Sequence, residues 1–196
     1  MDKRIEDLIT KLNALEDEID QALNERRKEF GYEIEKRKIK FQAEVKKQQK
    51  KVKTNLYRFF IDARLRHLAS APFLYMMIIP FSLMDLMLVV YQNTFFRACG
   101  LPLVKRADYV VIDRHQLAYL NIIEKINCIY CGYVNGLIAY VREIAGRSEQ
   151  YWCPIKHGLK TKQTHRHYGQ FTDFGDAESY RKELHDLREK LRKLEG

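Results

Sequence analysis

Four residues in the C-terminal half have the types and the spacing of a metal site. Cys128 and Cys131 form a C-x2-C pair, and Cys153 and His157 follow as C-x3-H. Helix positions three or four apart share a face, so each pair would offer two ligands side by side. Together they supply the Cys3His set that a tetrahedral structural zinc takes. The competing reading is packing, since a cysteine in an apolar helix is commonly just a small buried side chain. A dithiol redox cycle is a third reading, although no strand leads into a helix opening at the first cysteine, as thioredoxin-like chemistry requires.

Carboxylates extend the constellation. Glu124 stands four residues before Cys128 and Glu149 four before Cys153, with Glu143, Asp113 and His115 near in sequence. Helical Glu and His side chains converging in a bundle are how di-iron centres are built, so a membrane-bound iron enzyme or redox protein using Glu124, Glu143 or Glu149 is the enzymatic alternative. The diagnostic pair of Glu-x-x-His motifs is absent. His165 and His167 read as surface histidines of a polar loop, with an extended metal site or headgroup contacts as the other options. Trp152, beside Tyr151, would seat the module at a membrane surface or cover the metal.

The elements that must position these residues are helical. Asp113 is expected to cap a helix starting at Arg114 and carrying Leu117, Leu120, Ile123, Cys128, Cys131, Leu137, Ile138 and Val141 until Gly146 ends it. A second helix, starting near Ser148 or Pro154, would complete a helical hairpin within a Cys/His module over 105–170. Ahead of that module, 67–104 reads as a membrane segment. Asp85 is the only formally charged residue between His67 and Phe96, and the stretch meets the length of about 20 apolar residues that a bilayer demands. Tyr75 and Tyr91 stand where interfacial aromatics are useful. Pro80 would kink the helix, and an ionised Asp85 calls for a partner or a wet surface. Both a single span and a re-entrant hairpin remain open. Arg64 and Arg66 precede the segment, while Arg97, Lys105 and Arg106 follow it, so flanking charge does not orient it.

Heptad stripes occupy both ends. Ile5, Leu8, Leu12, Leu15 and Ile19 step by three and four, and the stripe resumes with Leu23, Phe30, Ile34, Phe41, Val45 and Val52, which predicts a long helical arm over 1–66 continuing past Gly31. Tyr180, Leu184, Leu187, Leu191 and Leu194 form a second seam in 171–196. Two seams can pair only on one side of a membrane, so both termini are expected in the cytoplasm. Homo-oligomers through each seam are the alternative.

The net charge of +9 is carried by 24–68, which holds 15 Lys/Arg against 6 Asp/Glu. Beside an apolar segment, Lys46, Lys47, Lys50, Lys51 and Lys53 point first to anionic lipid headgroups and second to nucleic acid. The first 50 residues lack the basic start and apolar core of a signal peptide, so the four cysteines are expected reduced. No phosphate loop, dinucleotide fingerprint, nucleophile elbow or H-E-x-x-H helix is present. With only 9 Gly and 4 Pro in 196 residues, the class is all-α. The function expected is a membrane-anchored coiled-coil adaptor or scaffold with a zinc module and an unidentified protein partner. A membrane-tethered nucleic-acid-binding protein is the last alternative.

Overall fold

The computed structural model describes residues 3–35, 38–56, 61 and 65–194; Arg64, one of the flanking basic residues, lies outside them. The chain is mostly helical. It divides into two units that interleave in sequence, Met1–Ala63 with Asp113–Asn127, and Arg64–Ile112 with Cys128–Gly196.

In the first unit, α1 (Lys3–Glu29) carries the N-terminal stripe and closes on Arg26, Arg27 and Lys28, whose charge suits the carbonyl end of a helix. Leu8, Leu12, Leu15, Ile19 and Leu23 are all about half exposed, so these seam residues are largely uncovered. The helix does not continue past Gly31 as its periodicity suggested. Gly31 adopts a left-handed φ of +65°, and a Cβ there would lie 2.7 Å from Val45 Cγ2, so the turn demands glycine. A short antiparallel hairpin follows, β1 (Tyr32–Glu35) and β2 (Lys38–Phe41). Its register sets Glu33 opposite Lys40 and Glu35 opposite Lys38, with the Tyr32 and Phe41 rings 5.3 Å apart. Aromatic cross-strand pairs of this kind stabilise hairpins. Then α2 (Ala43–Lys51) presents the lysines.

The expected helix from Arg114 is likewise displaced. Only one 3-10 turn forms at Arg114–Gln116, and the long helix begins at Ile122. Asn121 Oδ1 accepts from the backbone N–H of Ile123 and Glu124, both at 3.0 Å, while Glu124 Oε2 accepts from Asn121 N–H at 2.7 Å. This reciprocal capping box satisfies orphan donors of the first turn, a job that Asp113 is too far upstream to do.

The second unit is built on two parallel helices. One comprises α3 (Leu65–Met76) and α4 (Ile78–Tyr91), extended through a π turn at Gln92–Phe96 to Cys99. The other is α6 (Ile122–Trp152), of which the part from Cys128 belongs to this unit. Their parallel direction shows in successive contacts: Tyr75 with Tyr130, Asp85 with Tyr133, Gln92 with Tyr140, Tyr91 with Ser148 and Phe95 with Tyr151. Gly100, at φ +66°, ends the first helix. The chain then returns along the groove between the pair, through a short α5 (Arg106–Tyr109). A Cβ on Gly136 would sit 2.6 Å from Tyr109 O, so this close approach of loop backbone to helix requires glycine.

The core gathers Phe96, Leu101, Val104, Leu137, Tyr140, Ile144 and Leu191. Leu191 comes from α7 (Ala177–Arg192), whose first turn is capped by Asp176 accepting from Ser179 N–H. The C-terminal seam is therefore not free for pairing: Leu187 and Leu191 are buried within this unit. Side chains hold α7 down, with Gln150 Nε2 donating to Leu187 O and Arg188 Nε to Tyr151 O.

Candidate functional site

The helical hairpin expected of the Cys/His module does not form, and this separates its ligands. α6 runs unbroken through Gly146 to Trp152. Cys131 and Cys153 are consequently about 33 Å apart along the helix, at 1.5 Å per residue. Cys128 and Cys131 are half-buried, while Cys153 and His157 are exposed at and beyond the far end, and every cysteine is a free thiol. His157 stacks on Tyr168. Among the described residues no three His, Cys, Asp or Glu side chains are placed to hold one metal ion.

Two reasons keep α6 helical at Gly146. The imidazole of His165 fills the space that a Cβ would take, 2.8 Å away, and the Arg147 guanidinium donates back across one turn to Glu143, Nε to Oε1 at 2.7 Å. The three carboxylates proposed as added ligands have other work. Glu124 caps the helix. Glu149 pairs with His165 Nε2 at 2.9 Å. Glu143 is the centre of a buried charge cluster, its Oε1 facing Arg147 Nε, Arg166 Nη2 at 2.6 Å and His167 Nε2 at 3.0 Å. Burial alone would raise the Glu143 pKa, but hydrogen bonds from His167 and Arg147 outweigh it and lower the carboxyl to about 2. A carboxylate so engaged by cations is a structural anchor. His167 is buried and His165 mostly so, which corrects their reading as surface histidines.

The polar residue of the apolar segment does have a partner. Asp85 accepts a bidentate pair of bonds from Arg106, Nε at 3.0 Å and Nη2 at 2.7 Å, and a third from Tyr133 OH at 3.1 Å. Two turns further, Gln92 is buried with both ends of its amide used: Nε2 donates to Tyr140 OH and Oε1 accepts from Val104 N–H at 2.7 Å. Arg147 adds a bond to Pro102 O at 2.9 Å. These contacts fix the return segment between the two helices. Glu143–Arg147 was readable as an i,i+4 pair; Arg106, 21 residues from Asp85, had no local signal.

The run Ala69–Cys99 is 31 residues long, the one described helix long and apolar enough to cross a membrane, and its most apolar stretch is unburied. The run is interrupted at Met77, between α3 and α4, where Pro80 leaves the carbonyl of Met76 without its helical donor. Arg66 precedes the run and Arg97 lies in its last turn, both exposed, and Lys46, Lys47, Lys50, Lys51 and Lys53 are exposed on and just after α2. Comparison with protein-family models, curated proteins and solved structures finds no match.

Proposed function

We propose that this chain is a membrane-anchored helical scaffold. The helix Ala69–Cys99 holds it to the bilayer, the α2 lysines add attraction to anionic headgroups, and the seam of α1 joins one chain to another. The observation that carries this reading is the uncovered apolar helix. Ile79, Leu83, Leu86 and Met87 are each 60 % exposed or more, a patch that a protein in water rarely leaves bare. A metal has no part in the proposal, because the Cys3His residues are spread along α6 and beyond it.

Flotation with phosphatidylcholine–phosphatidylserine vesicles tests it. The full-length protein should float and stay bound in high salt, whereas Leu83→Glu/Met87→Glu, at two exposed positions, should remain in the dense fraction. A wild-type protein that stays dense at low salt would sink the reading.

A further inference from the structure

The membrane-binding helix has two sides of opposite character. Phe81, Met84, Leu88, Tyr91 and Phe95 pack against the protein core. Ile79, Leu83, Leu86, Met87 and Val90 point away from it, between 54 and 68 % exposed. The helix is apolar all round because one side is partly covered by its own protein, so its composition alone does not distinguish a spanning helix from one lying at a surface.

Charge makes that distinction. Asp85 sits beside the midpoint of Ala69–Cys99, and Arg106 is bonded to it at 2.7 Å. Lys105, Arg106 and Asp108 are all exposed on the return segment at that level. In a helix crossing the membrane this level is the bilayer centre, where exposed charges are most costly. Laid along one leaflet, the same helix puts its bare stripe into hydrocarbon and the Arg106 side into water. Length agrees: 31 residues extend about 46 Å, well beyond the hydrocarbon thickness of about 30 Å. Exposed Arg97, at the end of the helix, adds a basic group suited to anionic headgroups.

We propose that Ala69–Cys99 lies along a single leaflet, with Ile79, Leu83, Leu86, Met87 and Val90 immersed and Lys105, Arg106 and Asp108 in water. The proposal rests on the membrane-anchoring reading and deepens it. Both ends of the chain then stay on one side of the membrane.

The test is spin-label depth on phosphatidylcholine–phosphatidylserine vesicles. Nitroxides are attached at single cysteines replacing Ile79, Leu83, Leu86, Val90, Lys105 or Asp108 in a background without native cysteines. Oxygen and nickel-chelate collision rates should report one shallow depth, uniform across 79, 83, 86 and 90, with 105 and 108 fully aqueous. A depth greatest near Leu83 and Leu86 and shallower at both ends, with 105 and 108 shielded, would establish a crossing helix and overturn the proposal. So would labels on the stripe that are shielded before any lipid is added, which would mean that a second copy covers it. Absence of flotation would instead remove the anchoring reading itself.

Discussion

Replacing Glu143 by glutamine removes the one negative charge that faces Arg147, Arg166 and His167. The magnitude follows from linkage. The carboxyl falls from an ordinary value of 4.5 to about 2 in the fold, and each pH unit of displacement is worth about 1.4 kcal/mol, so ionised Glu143 contributes about 3 kcal/mol. A depressed carboxylate stabilises the fold above its unfolded pKa, and that contribution is lost as pH falls through 4.5 toward 2. Urea unfolding of wild type and Glu143→Gln, followed by hydrogen exchange in α6 between pH 7 and pH 2, measures it directly. The wild type should be more stable by about 3 kcal/mol at pH 7, the figure for a buried pair losing one partner. The gap should narrow below pH 4.5 and nearly close at pH 2. A gap of constant size across that range would refute the reasoning, because the loss would then be one of shape and not of charge.

Gly136→Ala should destabilise the second unit by about 1–3 kcal/mol, the usual effect of overpacking, because its methyl meets Tyr109 O at 2.6 Å; a melting temperature equal to wild type would contradict that contact. With the α1 seam in its proposed role, wild type should sediment as an oligomer and Leu12→Asp/Leu15→Asp as a monomer; a monomeric wild type would contradict that role. Elemental analysis should find no stoichiometric zinc or iron in the full-length protein, and no change in Cys128→Ser/Cys153→Ser; one zinc per chain, lost in that variant, would show that the ligands meet after all. Alanine at Lys46, Lys47, Lys50, Lys51 and Lys53 should weaken binding to anionic vesicles by about 1 kcal/mol per lysine at low salt. A larger loss of nucleic-acid binding would favour the competing partner.

What the sequence made legible was local. The apolar run and its lone Asp85 could be read from composition, and the α1 and α7 stripes from spacing. What each stripe packs against could not: the same periodicity leaves Leu12 half exposed and Leu191 fully buried, because a seam specifies a face and not its partner. Cys128 and Cys131 do lie one turn apart on α6, but Cys153 and His157 follow its end in non-helical chain, and the site also required a turn at Gly146. There a histidine ring from a loop 19 residues away takes the space beside the glycine and an ion pair bridges it, so a residue that usually ends helices sits inside one. The short hairpin escaped notice because Glu33-Ile34-Glu35 and Lys38-Ile39-Lys40 alternate for too few residues to outweigh a helical stripe running through them.

The interleaving of the two units bears on how the chain acquires its shape. Met1–Ala63 is complete only with Asp113–Asn127, and Arg64–Ile112 only with Cys128–Gly196. Neither can be excised as one continuous fragment, and during synthesis neither can finish until residues beyond the apolar helix have been made. That helix therefore leaves the ribosome before the α6 and α7 segments that will cover its inner side exist, and for that interval both of its sides are sticky. Pairing of segments so far apart in sequence is slow, so early capture of the bare stripe by lipid would protect the nascent chain from aggregation while its C-terminal half catches up.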